Sequence, residues 1–361
     1  MIYFYKTISP HLIENLHKYL HYFFSQLFAE VHPTFDHVFY IHTDFKDIVD
    51  EYPDINTSLT TITSSYLILS KKDKALVRKI YLHNNAIEEI CNNKKKPFPF
   101  DDLPLSVQTP IRNLYDSEGL LYSMLTKKTG YPKIKSKCGS LKKHFESFRK
   151  VNQYSVCPFC GMENLMTEKE TNKNEYDHYF SKGRYPFCSI NFNNLVPICD
   201  YCNKSGNKGQ KDIPFIPRSK PRKQGVLYYP YSQNIPKHEI GLQIISPTTD
   251  LSNPKKWNLI ISATPKTNEK RKDRWVEIYN IEDRYKGKIA QDSYKWKERI
   301  KEKYRMRCKK RGISFKDFKE DILDDFTSYK DINNGIIMKC FDEFIMNNPN
   351  CETFLSGNIV F

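Results

Sequence analysis

Two pairs of cysteines restrict the fold of this chain more than any other feature of its sequence. Cys157 and Cys160 lie in the segment CPFCG, and Cys199 and Cys202 lie in the segment CDYCN. A Cys-x-x-Cys turn places two sulfur atoms on one side of a reversed backbone, and two such turns complete a tetrahedral zinc shell. We therefore predict one structural zinc on these four thiolates, with a redox-active dithiol as the alternative.

The segment between the two pairs, residues 161–198, is longer than the loop of a simple zinc ribbon. We therefore expect it to carry a further function. The other cysteines lack the spacing of metal ligands and are predicted to be buried or surface thiols. They are Cys91, Cys138, Cys188, Cys308, Cys340 and Cys351.

The composition favours a globular chain with a polyanionic partner. The 361 residues are 39% hydrophobic and 14% aromatic, which suits two or three domains with cores of their own. The formal net charge is +15, and a globular chain this basic favours nucleic acid as its partner. No segment resembles a membrane span, and the N-terminus does not resemble a signal peptide. We therefore expect a cytoplasmic protein with no membrane partner.

Residue patterns predict an α+β fold that begins with a mostly helical region at residues 1–150. A first helix is predicted to begin at Ser9-Pro10, a second to run through residues 71–90, and a third to be capped by Ser140. The buried side of the first helix is predicted to carry Leu12, Leu16, Leu20, Phe23, Phe24 and Leu27.

The rest of the chain divides into a small module, a linker and a mixed region. Residues 151–212 are predicted to be a compact metal-binding module, and residues 213–225 a basic, proline-rich linker or surface loop. Residues 226–361 are predicted to mix strands and helices. The strands are EIGLQIIS and WNLIISAT, and a long basic helix is predicted from about Asp283 to Arg311.

Polar residues with catalytic potential lie within and just after the segment that separates the cysteine pairs. Asp177 and His178 are adjacent, Asn194 begins the sequence Asn-Leu-Val-Pro, and Asn203 follows Cys202 directly. A histidine with an ordinary pKa of ~6.5 can take a proton from water near neutral pH. The alternative is a polar pair in a zinc module that has no catalytic activity.

The order Cys-x-x-Cys, Asp-His, Asn-Leu-Val-Pro, Cys-x-x-Cys-Asn resembles the zinc-containing form of the HNH, or ββα-metal, nuclease superfamily. The resemblance covers residues 157–212. It implies a zinc-stapled, treble-clef-like ββα module that hydrolyses phosphodiester bonds. Ser181 stands where proline is frequent in the family, at a loop position that is not a ligand.

The resemblance also implies a role for each polar residue. His178 would be the general base that activates water. Asp177 and Asn203 would hold a catalytic divalent cation, Mg²⁺ or Mn²⁺, with Asn203 at the start of the helix that follows the second cysteine pair. Asn194 would fix by hydrogen bonds the loop that orients the strand of His178.

Four basic residues near these motifs are candidate phosphate contacts, with solvated surface charge as the alternative. They are Lys182, Arg184, Lys204 and Lys208.

The stretch from Asp177 to Asn203 is also similar to nuclease subunits of Septu-type phage-defence systems, which work with an ABC-type ATPase. This similarity implies antiviral defence, DNA as the favoured substrate, and an ATPase partner, for which the N-terminal region is a candidate docking surface. The chain itself has no G-x-x-x-x-G-K-[ST] loop for nucleotide phosphates. The alternatives are a nuclease that cleaves RNA such as tRNA, and a non-catalytic zinc module that binds nucleic acid or protein.

Overall fold

The structure, a computed structural model, describes residues 3–115, 120–126, 130–165, 176–204, 206–233, 239–245, 253–324 and 332–357. The chain forms two compact units. Unit 1 comprises Met1–Tyr3, Tyr154–Leu165 and Asn234–Phe361, and unit 2 comprises Phe4–Gln153 and Met166–Gln233. The unit edge between Gln153 and Tyr154 lies close to the boundary predicted at residue 150, and the boundaries predicted at residues 212 and 225 lie inside unit 2.

Hydrogen bonds explain why the first cysteine pair belongs to unit 1 with the C-terminal part of the chain. The indole of Trp275 donates to the carbonyl of Phe159 at 2.7 Å, and the hydroxyl of Tyr285 donates to the carbonyl of Cys160 at 2.9 Å. These bonds join residues that are more than a hundred positions apart, so local sequence patterns do not predict them.

Unit 2 is mostly helical, with a core that the N-terminal helices share with the segment around Asp177. From that segment, Tyr176, Phe187 and Leu195 lie in the same buried cluster as the helical residues. The α-helices are Asn15–Ala29, His37–Tyr40, Thr43–Glu51, Pro53–Leu67, Lys71–Asn84, Ile87–Cys91, Leu105–Tyr115, Leu120–Thr126, Pro132–Cys138, Leu141–Val151 and Asp200–Asn203.

The first helix begins later than predicted. A 3₁₀ turn spans Leu12–Glu14, and its cap is His11, whose ring Nδ1 accepts a hydrogen bond from the amide of Ile13 at 3.1 Å. The α-helix then starts at Asn15, so Ser9 does not cap it. Leu12 lies before the α-helical repeat begins and is 55% exposed, whereas the other five predicted residues of the stripe are buried.

The predicted second helix is two helices. Lys71–Asn84 ends where the backbone of Ala86 leaves the helical region, and Ile87–Cys91 follows. The buried side chain of Asn84 makes two hydrogen bonds to the backbone of Phe98. It accepts from the amide at 3.0 Å and donates to the carbonyl at 2.8 Å. The third prediction is confirmed, because the hydroxyl of Ser140 accepts from the amide of Lys143 at the start of Leu141–Val151.

The proline-rich segment at residues 213–225 folds back on itself as a surface loop. Phe215 forms a β-bridge with Gln224, and the amide of Gly225 donates to the carbonyl of Pro214 at 2.9 Å. The side chain of Gln224 also donates to the carbonyls of Ile90 and Lys95. The loop therefore forms part of unit 2 and is not extended.

Unit 1 contains both strands that the sequence predicts for the C-terminal region. Strand β3, Glu239–Ile244, pairs antiparallel with β4, Leu259–Thr264. The predicted basic helix is Ile281–Tyr304, followed by a π-helical turn at Arg305–Lys309. The other α-helices are Glu269–Tyr279, Phe315–Asp324, Gly335–Met346 and Cys351–Leu355.

The aromatic residues of the basic helix mostly pack inside unit 1. Trp296 contacts Phe341 edge-on at 5.6 Å between ring centroids, whereas Tyr294 is 70% exposed. Packing is therefore the main role of these rings.

The α+β class is confirmed: across the described ranges the chain is mostly helical, with two small antiparallel sheets. The first sheet pairs β1, Tyr176–His178, with β2, Leu195–Pro197. None of the helices that the structure describes is long and apolar enough to cross a membrane.

Candidate metal and catalytic site

The four cysteines of the two pairs form one buried cluster. The Sγ atoms of four cysteines all lie within 4.8 Å of one another: Cys157, Cys160, Cys199 and Cys202. Such a set of buried sulfur donors is suited to a structural metal such as zinc. The predicted cysteine site is therefore confirmed as a cluster that can hold a metal ion.

Tight backbone turns present the sulfurs of each pair. In the first, the amide of Gly161 donates to the carbonyl of Cys157 at 2.7 Å, and Gly161 adopts a φ of 64° that favours glycine. In the second, Cys199 precedes the one-turn helix Asp200–Asn203, which contains Cys202.

Strand pairing positions the Asp-His motif. In the register of β1 with β2, Asp177 lies opposite Val196 and His178 opposite Leu195. The chain then turns, and the amide of Tyr179 donates to the carbonyl of Asn194 at 2.7 Å. The buried Asn194 side chain accepts from the amide of Phe180 at 2.7 Å and donates to the carbonyl of Phe180 at 3.0 Å. Asn194 thereby holds the backbone that follows His178.

The imidazole of His178 is buried and fixed in one tautomer. Its Nε2 lies 2.9 Å from the carbonyl oxygen of Ser189, which can only accept, so Nε2 carries the proton. The lone pair is then on Nδ1, which has no hydrogen-bond partner among the side chains and backbone groups described. Burial, with the charge of Lys182 as a smaller cause, lowers the pKa of His178 to about 3. The ring is therefore neutral at pH 7 and can accept a proton.

The carboxylate of Asp177 is buried, and only one of its two oxygens has a hydrogen-bond partner among the described residues. Its Oδ1 accepts from the ammonium group of Lys208 at 2.8 Å, whereas Oδ2 has no hydrogen-bond partner in the described part of the chain. Burial raises the pKa of Asp177, and the charge of Lys208 opposes that rise. An unpartnered buried oxygen beside an open space is a suitable ligand for a hard cation.

One cavity of about 190 Å³ brings several of the predicted residues together. Asp177, His178 and Asn203 line it, as do Lys182 and Lys208. Asn194 does not line the cavity. Its hydrogen bonds to the backbone of Phe180 fix the chain that follows His178. The cavity wall also includes Tyr122, Tyr176, Ser181, Gly209 and Gln210.

The structure places Asn203 at the end of a helix, whereas the sequence predicted it at a helix start. Asp200–Asn203 is a single turn, and Lys204 ends it with an extended backbone. The reason is that the helix begins inside the second cysteine pair, directly after Cys199. Asn203 is half-buried and still reaches the cavity.

The four basic candidates have different positions. Lys182 is half-buried, with its ammonium group 4.8 Å from the centre of the Tyr122 ring. Arg184 and Lys204 are exposed and do not line the cavity. Lys208 is 1% exposed, so it is not a surface charge, and its ammonium group also donates to the carbonyl of His178 at 2.7 Å.

Sequence reasoning missed the residues that orient His178. Ser189 supplies the carbonyl that fixes its tautomer, and the ring of Tyr122 contacts the imidazole edge-on at 4.6 Å. Neither position carries a motif, because one contributes only a backbone oxygen and the other lies in a distant helix.

Comparisons of this chain with protein-family models, with curated proteins and with solved structures found no match.

A second buried histidine in unit 2 predicts sensitivity to acid. His144 is 5% exposed, its Nδ1 is hydrogen-bonded to the hydroxyl of Tyr176, and burial lowers its pKa to about 3. Below its unfolded pKa of ~6.5, the unfolded chain therefore binds a proton that the folded chain does not. Between pH 6.5 and about 3, His144 alone is expected to lower the free energy of unfolding by at most about 1.4 kcal/mol per pH unit.

Urea unfolding between pH 7 and pH 4.5 measures this effect. The variant His144→Gln should show a shallower loss of stability than the wild type over that range. His21→Gln, at an exposed histidine, is the matched control. Equal slopes for the wild type and His144→Gln would contradict the prediction.

Proposed function

We propose that this chain is a metal-dependent endonuclease of the HNH class that hydrolyses phosphodiester bonds, with DNA as the favoured substrate. The observation that carries the proposal is the single cavity lined by His178, Asp177 and Asn203. The family resemblance assigns these three residues to catalysis. A neutral histidine, a buried carboxylate with an unpartnered oxygen, and an amide side chain therefore share one small space.

Asp177 and Asn203 fit a hard divalent cation such as Mg²⁺ or Mn²⁺, because both offer oxygen donors and Asp177 Oδ2 lacks a partner in the residues described. When bound, such an ion stabilises negative charge on phosphoryl and leaving oxygens. The four sulfurs of the cysteine cluster are soft donors and suit zinc in a closed structural site. The two sites would thus hold different metals.

His178 would act as the general base. Its Nδ1 takes a proton from a water molecule, whose oxygen forms a bond to phosphorus while the bond to the leaving oxygen breaks. The hydrogen bond from Nε2 to Ser189 keeps the ring oriented throughout. A bound phosphate brings negative charge to the cavity, which raises the basicity of the buried ring. Lys182 lines the cavity wall and would contact that phosphate.

The substrate class and partners rest on charge and on the resemblance. The net charge of +15 supports a polyanionic substrate. Because water is the nucleophile, no 2′-hydroxyl is required, so RNA such as tRNA is the second candidate. The similarity to Septu-type nucleases supports antiviral defence and an ABC-type ATPase partner, since this chain has no nucleotide-phosphate loop in its sequence.

A cleavage assay tests the proposal. The purified chain, alone and with the ABC-type ATPase subunit of a Septu-type system, is incubated with supercoiled plasmid and in parallel with tRNA. We expect plasmid cleavage with Mg²⁺ or Mn²⁺ and none with EDTA. Asp177→Asn should slow cleavage at least about a hundredfold, because a bound cation supplies several kcal/mol of charge stabilisation.

Asp54→Asn, at an exposed carboxylate, is the matched control and should cleave normally. Cleavage of tRNA but not of plasmid would show that the substrate is RNA and not DNA. Nucleic-acid binding without cleavage under every condition would support the non-catalytic zinc module instead.

A further inference from the structure

The buried lysine of the cavity is the feature that the proposed chemistry leaves without a role. Lys208 is 1% exposed, and the two hydrogen bonds of its side chain are both to the Asp-His motif. Its ammonium group lies 2.8 Å from Asp177 Oδ1 and 2.7 Å from the carbonyl oxygen of His178. A buried ammonium group at this place supplies the positive charge that the buried carboxylate needs.

Lys208 also lies where a bound cation would feel its charge. Asp177 Oδ2, the unpartnered oxygen, belongs to the same carboxylate that Lys208 contacts through Oδ1. A divalent ion on Oδ2 would therefore lie within a few ångströms of the ammonium group. Like charges at such a distance repel strongly inside a protein, where the effective dielectric constant is ~20.

We infer that Lys208 is an internal competitor of the divalent cation: it pairs with Asp177 when no cation is bound, and the cation must displace its ammonium group to bind. The inference rests on the proposed function, since it concerns the same cation site. Beyond the proposed function, the inference is that the ammonium group of Lys208 neutralises the carboxylate of Asp177 in the metal-free protein. The strength of this ion pair would then set the affinity for the divalent cation.

The local chain supports such a displacement. Lys208 lies in the turns that follow Asp200–Asn203, with Asn207, Gly209 and Gln210 beside it. The amide of Lys208 donates to the carbonyl of Cys202 at 3.3 Å, so the backbone is anchored to the second cysteine pair. The long side chain can therefore rotate away from Asp177 while its backbone stays in place.

Mn²⁺ binding to the full, zinc-loaded chain tests the inference without relying on activity. Mn²⁺ affinity is measured by calorimetry for the wild type, Lys208→Met and Lys204→Met, the last being an exposed lysine near the site. Removal of the competing charge is expected to tighten binding by ~10-fold or more in Lys208→Met. Lys204→Met should bind like the wild type.

Asp177→Asn separates the two proposals. If Asp177→Asn binds Mn²⁺ as well as the wild type does, Asp177 is not a ligand of the cation, and the metal site of the proposed function is overturned. If Asp177→Asn loses binding but Lys208→Met binds no more tightly than the wild type, only the competition is overturned. Weaker binding in Lys208→Met would mean that Lys208 positions Asp177 for the metal.

A second measurement uses the wild type alone, so it does not depend on the folding of Lys208→Met. Acetylation of lysines by an amine-reactive reagent is followed by mass spectrometry with and without Mn²⁺. Lys208 should be protected in the metal-free chain and react at least several-fold faster when Mn²⁺ is bound, with Lys204 as the internal reference. Equal protection of Lys208 in both states would overturn the displacement.

Discussion

Replacement of His178 with alanine is expected to slow the chemical step of nucleic-acid cleavage by about 10²–10⁴-fold. The imidazole is the only neutral nitrogen base in the cavity wall as described, and its tautomer is fixed by the bond from Nε2 to Ser189. Without it, the attacking water keeps its proton. Single-turnover cleavage of a saturating plasmid substrate measures the loss directly.

Three measurements and one control variant distinguish lost chemistry from lost structure. The His178→Ala protein should keep its zinc content, its far-ultraviolet circular dichroism and its affinity for nucleic acid. His21→Ala, at an exposed histidine of the first helix, should cleave at the wild-type rate. Full activity in His178→Ala would refute the assignment of the general base, whatever the state of the metal sites.

Loss of the cysteine cluster is expected to have the largest effect on stability. Structural zinc sites bind with apparent free energies of about 10–16 kcal/mol, and that energy is folding energy when the site is absent from the unfolded chain. Cys202→Ala removes one of four buried ligands. We therefore expect the variant to purify without its zinc equivalent and to unfold at a much lower temperature than the wild type.

The matched control for that variant is Cys188→Ala. Cys188 is a fully buried thiol outside the cluster, and its sulfur donates to the carbonyl of Tyr185 at 3.1 Å. Its loss should leave the zinc content unchanged and cost only a small cavity. Metal analysis and thermal unfolding of the three proteins give the comparison. A wild-type chain that contains no zinc and forms reversible disulfides in the cluster would favour the redox dithiol.

Much of the local structure follows from the sequence because it depends on neighbouring residues. The serine at position 140 caps a helix, the apolar runs of β3 and β4 form strands, and the Cys-x-x-Cys turns present paired sulfurs. Each of these features is set within a few residues by backbone geometry or side-chain periodicity. Where the repeat changes, as at the 3₁₀ turn of Leu12, the prediction was wrong.

The arrangement of the cavity is a different matter, because it depends on residues that are far apart in the chain. The bond of Lys208 to Asp177, the carbonyl of Ser189 and the ring of Tyr122 arise from packing of separate segments. The positions of charged residues in the sequence do not distinguish a buried lysine from a solvated one, because burial is a property of the tertiary structure. The sequence by itself therefore determined the cysteine pairs, the Asp-His motif and most local elements. Only the tertiary structure decided how Asp177 and His178 are buried, oriented and paired, because those properties come from contacts between distant parts of the chain.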